Sequence, residues 1–253
     1  MVGDLHGDHR GLQKLLRQIG VIDWSGKRQP GYHVWQLGDL VHVGPQTVGA
    51  DIITMELVHK GWVDIVLAGN HELMHGYGLS CGWFLGIDEE ADLVGPLLKN
   101  MVEHGQLRPA AAVDGWLLSH AGLHPRYAGK FVDQGAPDAA AVAARLNAAF
   151  DEALASGGGI PAVFSSIGPI RSGGQDTRPG GIFWADASEM KGAAADNTLA
   201  QLFGHTPQPG FPRRLDERMW VVDVGAALSG VVVALVKDPE EENWRPVVTG
   251  VGR

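Results

Sequence analysis

Asp4, His6, Asp39, Asn70, His71, His120 and His205 stand in short clusters that follow apolar runs. The clusters are Gly3-Asp4-Leu5-His6-Gly7, Gly38-Asp39, Gly69-Asn70-His71-Glu72, Ser119-His120 and Gly204-His205. Carboxylates and imidazoles ligate divalent cations, and an Asn carbonyl oxygen adds a neutral donor. This mixture suits Mn, Fe or Zn better than the all-oxygen cages of Mg or Ca. Any one such residue is ordinarily a helix cap or a turn. Five clusters in one chain, most with glycine beside the ligand, make a metal centre the better reading, because glycine lets the chain turn sharply and a charged centre approach the backbone. The single cysteine, Cys81, excludes an internal disulfide and any zinc site built from cysteine pairs. Sequence places no base beside it, so Cys81 reads as a plain thiol, not a nucleophile.

The runs that precede the clusters must bring them together. His33–Leu37, Val63–Ala68, Trp116–Leu118 and Leu199–Phe203 read as buried strands by length and by their β-branched and aromatic content. In open α/β sheets, ligands gather where loops converge at the carboxyl ends of such strands. Met219–Asp223 and Gly230–Val236 look like a hairpin, and Trp244–Thr249 like a further strand, with Asp238–Glu242 a solvated turn between the last strands. Helical patterns lie between the strands. Leu12, Leu15, Leu16 and Ile19 share one face, and Ile52, Met55, Leu57 and Val58 mark a second helix before Gly61. An Ala-rich helix opens at Pro137-Asp138 and stops at Ser156-Gly157. Strand and helix alternate first and strands dominate later, which predicts a mixed α/β layered fold. No linker is evident, so residues 1–253 read as one domain. Within it, the segment at about 134–157 is a cap-like helical insertion over the sheet or the site. The glycine-rich stretch 172–181 reads as a long mobile loop. Only Met1 and Val2 precede Gly3-Asp4, so the first strand is very short or a longer version of the chain carries more of it.

Composition narrows the partners. Lys and Arg number 20 against 29 Asp and Glu, a net charge of −9, and no basic run occurs. Binding a nucleic-acid backbone takes clustered basic residues, so nucleic acid is not an expected partner. No apolar stretch approaches a membrane span and no signal segment opens the sequence, which predicts a soluble, cytoplasmic protein without membrane contact.

The series GDLHGD (3–8), GDLVHVG (38–44), GNHE (69–72), SHAGLHP (119–125) and GHTP (204–207) resembles the calcineurin-like metallophosphoesterases. Within them it is similar to the phosphoprotein phosphatase branch, its bacterial Shewanella-like members and the symmetrical dinucleoside tetraphosphatases. The resemblance implies a four-layer αββα sandwich with mixed sheets and two metal ions at the strand ends. It implies that Asp4 and His6 bind the first ion, that Asp39 bridges both, and that Asn70, His120 and His205 complete the second. A bridging carboxylate would hold the ions about 3.5–4 Å apart, where they clamp a phosphate and lower the pKa of a bridging water for in-line attack. His71 would be the general acid that protonates the leaving oxygen, a role suited to an unperturbed pKa near 6.5; otherwise it is a supporting structural histidine.

The match breaks at one place. Relatives continue the second motif as GDxVDRG, whereas this chain has His42 and Val43 where Asp and Arg are expected. His42 cannot stabilise a cationic His71 as a carboxylate would, and losing the arginine removes a bidentate phosphate contact. His42 itself, Arg171 and Arg178 are the candidates for binding substrate phosphate. His75, Tyr77 and Trp83 read as packing near a groove, His124 as a rim residue, and Asp8 as a helix cap. His33, His59 and His104 read as surface positions. The resemblance implies hydrolysis of phosphate monoesters, with a phosphorylated Ser, Thr or Tyr of a protein, or a small phosphoester, as substrate. A dinucleoside tetraphosphatase with Trp83, Trp184 and Arg126 on the rim, and a metal-binding scaffold without activity, are the alternatives.

Overall fold

Leu12, Leu15 and Leu16 lie on one face of helix α1 (His9–Ile19), as their spacing predicts, and all three are buried. Asp8 caps the helix by accepting the Gly11 N–H at 2.8 Å, and Gly20 ends it in the left-handed conformation. The computed structural model describes residues 1–41, 48–77, 91–133, 137–157, 159–193 and 199–249.

After α1 the chain runs through β1 (Trp35–Gln36), α2 (Val48–Leu57) with a π-type turn at Val58–Trp62, β2 (Ile65–Leu67), α3 (Asn70–Tyr77) and α4 (Ala91–Glu103). There follow β3 (Leu107–Arg108), β4 (Ala110–Val113), β5 (Trp116–Ser119), α5 (Pro125–Ala128), α6 (Ala139–Ser156), α7 (Ala162–Ser165) and α8 (Ala187–Gly192). The last stretch carries β6 (Ala200–Phe203), β7 (Arg213–Asp216), β8 (Met219–Val221), α9 (Ala226–Ser229), β9 (Val233–Val236) and β10 (Arg245–Val248).

These strands make two mixed sheets. In the first, β1, β2 and β3 run parallel, β9 pairs antiparallel with β10, and Val2 joins the two parts by bridging Gln36 in parallel and Ala234 antiparallel. The second has the order β4-β5-β6-β8-β7, with β5, β6 and β8 parallel and an antiparallel strand at each edge. The sheets pack face to face through Leu37, Leu67, Val233 and Leu235 of one and Ala111, Leu118 and Leu202 of the other. Helices cover the outer faces: α6 lies on β4 and β5, while α4 reaches β3 and α1 reaches β10. The result is the αββα layering. Under α6, Phe150 meets Phe164 and Phe183 edge-on at 5.1 and 5.6 Å; truncating such a ring to alanine costs about 3–5 kcal/mol.

Two expectations need revision. The hairpin predicted for Met219–Asp223 with Gly230–Val236 does not form, because β8 belongs to the second sheet and β9 to the first. The Ala-rich segment takes one of the two placements expected for it, on a sheet face, where Leu146 and Phe150 of α6 are fully buried in the core. The glycine-rich stretch 172–181 is tied down. The Asp176 carboxylate accepts from Ser166 Oγ and the Ile167 N–H, and Glu189 accepts the N–H groups of Ile170 and Gly180. Among the described residues, no helix is long and apolar enough to cross a membrane.

Candidate metal centre

Each candidate cluster leaves the carboxyl end of a parallel strand. Asp39 follows β1, Asn70 follows β2, His120 follows β5, His205 follows β6, and Asp4 and His6 follow the Val2 bridge. Two hydrogen bonds draw the sheets together there: His120 Nδ1 to the Leu37 carbonyl at 2.8 Å, and the His205 N–H to Asp4 Oδ2 at 3.1 Å. The approach is close enough to require glycine at two positions. A Cβ on Gly69 would collide with Asp39 Oδ1, and one on Gly204 with Asp4 Oδ1. His6, Asp39 and His205 have φ of 44°, 52° and 67°, a left-handed backbone that side-chain-bearing residues adopt at a cost of order 1–3 kcal/mol each.

The side chains converge on Asp39. His120 Nε2 lies 3.4 Å from Asp39 Oδ1, 3.1 Å from Asn70 Oδ1 and 3.0 Å from His205 Nδ1. On the other oxygen, His6 Nε2 and His71 Nε2 lie 3.8 and 3.9 Å from Asp39 Oδ2. Because Nδ1 of His120 faces the Leu37 carbonyl, and Nδ1 of His6 faces the Val41 carbonyl at 3.2 Å, the ring protons belong there. The Nε2 lone pairs are thereby turned inward, which is how metal-ligating histidines are oriented. One proton between His120 and His205 would satisfy only one of the contacts around His120 Nε2, and His205 Nε2 is buried without a partner. Two triads could each hold a cation, His6–Asp39–His71 and Asp39–His120–His205, and Asp39 is common to both. Asp4 lies outside both triads, its carboxylate taking the His205 N–H.

The electrostatics call for cations. Asp4, Asp39, Glu72 and Asp223 are all at most 3% exposed. Burial, with Asp223 and Asp39 nearby, pushes the Asp4 carboxyl well above its ordinary range. Burial also raises Asp223. Burial works to raise Asp39 too, but the charges of His120, His71 and His6 outweigh it and hold Asp39 well below the usual carboxylate range. His205 is pushed well down by burial, then by His120 and Arg171, so it is a neutral imidazole with lone pairs to give. Buried carboxylates beside the neutral His205 and the inward-turned Nε2 atoms form a pocket of nitrogen and oxygen donors, and that donor set fits divalent ions.

Sequence reading missed two of these acids. Glu72 sits inside GNHE, yet its position gave it no role. In the structure Oε1 accepts the N–H groups of Leu40 and Val41 at 2.8 and 3.1 Å, and Oε2 those of Asp39 and Gly69 at 2.8 Å each. Burial and the Asp39 charge push its carboxyl up to about 7, against the pull of these donors. Asp223 follows β8 as the ligand residues follow their strands, with Gly225 just beyond, so the same pattern was available to find it. Two buried amides also fasten the loops. Gln36 bonds Gly38 through its Oε1, and Gln201 holds both the N–H and the carbonyl of Leu123.

The remaining candidates separate. His71 has its N–H on Asp39 Oδ1 at 3.2 Å and its ring edge-on to His6, 5.1 Å between centroids. Arg171 reaches the site: NH2 donates to the His205 carbonyl at 3.1 Å and Thr206 Oγ1 at 3.3 Å, and Nε lies 3.4 Å from Asp186. Arg178 instead pairs with Asp176 at 3.1 Å within its own loop. His124 caps α5 by accepting the Arg126 N–H. Trp184, expected on the rim, is 5% exposed and meets His205 edge-on, so it offers no open face for stacking. His42, Val43, Cys81 and Trp83 lie outside the described residues.

Comparison with known proteins agrees with this geometry. Residues 1–219 match the calcineurin-like phosphoesterase family. No curated protein matches the sequence. Three solved structures share the fold. A cold-active protein tyrosine phosphatase is 17% identical with a TM-score of 0.55, over 92% of this chain and 71% of that one. A putative diadenosine tetraphosphatase is 19% identical with a TM-score of 0.53, over 99% and 93%. A protein serine/threonine phosphatase from Saccharomyces cerevisiae, similar to human PP5, is 17% identical with a TM-score of 0.51, over 100% and 79%. At these identities the likeness is one of fold. The match over 219 residues decides the family: the chain belongs to the calcineurin-like phosphoesterases, metal-dependent hydrolases built around a dinuclear centre.

Proposed function

We propose that this enzyme hydrolyses phosphate monoesters on a pair of divalent ions, Mn, Fe or Zn, and that phosphorylated Ser, Thr or Tyr side chains of proteins are its substrates. The observation that carries the reading is the convergence of donors on the two oxygens of Asp39, His120 on one and His6 on the other, with His71 beside the second. Asp4 and His6 would hold the first ion, Asp39 both, and Asn70, His120 and His205 the second. When bound, such a pair neutralises phosphate oxygens and makes water a better nucleophile at neutral pH.

The chain's own residues supply the rest. Hydrolysis forms one P–O bond to water and breaks the ester P–O bond, so the departing oxygen needs a proton. His71, anchored through its N–H to Asp39, is the donor of that proton. Arg171, held between Asp186 and the His205 carbonyl and partly open to solvent, is the better placed arginine for a phosphate oxygen; Arg178 is engaged by Asp176. The protein's net charge of −9 need not oppose an anionic substrate, because two divalent ions, once held by these residues, would be the largest local charges in the cleft.

The test is turnover by purified, Mn-loaded protein on para-nitrophenyl phosphate, a phosphopeptide panel and diadenosine tetraphosphate, beside an Asp39→Asn variant. Release of phosphate from phosphopeptides that disappears in the variant is the expected result. Preference for the dinucleotide would replace the substrate assignment. Two bound ions without turnover of any ester would remove the catalytic reading.

A further inference from the structure

We propose that Glu72 is a positioning residue: its carboxylate presets Asp39 in the bridging conformation before any ion arrives. This rests on the reading of Asp39 as the shared ligand.

Glu72 is fully buried, and both its oxygens are occupied by backbone donors from two different loops. Oε2 joins the Asp39 N–H to the Gly69 N–H, each at 2.8 Å, while Oε1 takes Leu40 at 2.8 Å and Val41 at 3.1 Å. One side chain on α3 therefore grips three successive amides after β1 and one after β2. Asp39 sits in the middle of that grip with φ of 52°, a conformation a free chain seldom gives an aspartate. The same loops deliver Asp39 and Asn70, and the Val41 carbonyl receives His6 Nδ1. Through backbone alone, Glu72 thus touches the framework of three ligand positions and none of their side chains. A carboxylate is the only common side chain that meets four N–H donors with acceptors throughout. In Gln the amide nitrogen would face at least two backbone donors and leave them unsatisfied in the interior. Ligand-orienting partners of this kind change metal affinity about 10–100-fold when removed.

Two measurements test the proposal. The first uses the unaltered protein: hydrogen exchange of the amides of Asp39, Leu40, Val41 and Gly69 in EDTA and in Mn. Preset loops keep these four amides protected without metal, and adding Mn changes them little. Fast exchange in EDTA that slows only with Mn would overturn the proposal, because the ions and not Glu72 would then be ordering the loops. The second is calorimetric titration of Mn into Glu72→Gln and Glu72→Asp, with circular dichroism in EDTA to confirm folding. Glu72→Gln is expected to lose about 10–100-fold in Mn affinity, and its kcat to fall more than its KM rises. Glu72→Asp, which keeps the acceptors, should recover part of both. Equal Mn affinity in a folded Glu72→Gln protein would overturn the role. If the unaltered protein bound no Mn, the metal reading would fail while the exchange pattern still judged Glu72.

Discussion

Asp114 and Asp39 adopt nearly the same backbone conformation, with φ of 49° and 52°, in opposite surroundings. Asp114 precedes Gly115 in the two-residue turn between β4 and β5, where a left-handed pair matches the twist of the strands and Asp-Gly is a favoured choice. Its carboxylate is about half exposed and pairs with Lys237. At Asp39 no hairpin asks for that conformation; the residue is buried, and its carboxylate is ringed by three histidines. His6 and His205 share the feature. Left-handed backbone at Asp114 serves local folding. At Asp39, His6 and His205 it turns buried donor side chains toward one point, and on the reading proposed above Glu72 holds it.

Substitutions should pull the two aspartates apart. Asp39→Asn is expected to lower kcat/KM on phosphomonoesters by about three orders of magnitude, as losing a preorganised charge in an active site does, with circular dichroism unchanged; residual activity near that of the unaltered protein would put the centre elsewhere. Next in size, His71→Asn should reduce kcat by about a hundredfold on alkyl phosphates, whose departing oxygen needs a proton, and much less on para-nitrophenyl phosphate. An equal loss on both substrates would deny His71 its acid role. Arg171→Ala should raise KM by about tenfold, the weight of one charged hydrogen bond, whereas Arg178→Ala leaves KM alone and lowers the melting temperature. The reverse pattern would exchange the two arginines.

The smallest effects lie away from the centre. Asp114→Ala should cost about 1 kcal/mol, because alanine tolerates the left-handed region poorly and the Lys237 pair is worth little at the surface; activity should not move. Asp176 gives a pH signature. Burial works to raise its carboxyl, but Arg178 and Ser166 outweigh it and leave it well below the ordinary range. A depressed folded pKa contributes stability that is complete above the unfolded value, near 3.9, and is lost as pH falls below it. The melting-temperature gap between the unaltered protein and Asp176→Asn should therefore be constant from pH 5 to 8 and shrink below about pH 4. A gap independent of pH would mean that the carboxylate does not hold the loop.

The sequence made some of this architecture legible and hid the rest for identifiable reasons. The strands before Asp39, Asn70, His120 and His205 could be read because each is an apolar run ending in a polar, glycine-bearing cluster. The strand β4 could not, since Ala110-Ala111-Ala112-Val113 has the composition of a helix and is held in the sheet by Trp116–Ser119 beside it. Nor could β7, a charged edge strand, Arg213–Asp216, with little apolar pattern. The hairpin misreading of β8 and β9 came from adjacency in sequence, which does not say that a chain crosses between sheets. At the centre, the donor side chains that the structure brings together around Asp39 could be read from their types and spacing. Glu72 could not, because its hydrogen bonds go to backbone amides that carry no letter in the sequence.

The most direct test of the account is a Mn-edge anomalous diffraction map from crystals grown with Mn. Two peaks are expected, one on each side of Asp39 and about 3.5–4 Å apart, the second bounded by Asn70, His120 and His205. A map with no peak at Asp39, or with a single ion that Asp39 does not touch, would contradict the reading of this cluster as a dinuclear centre.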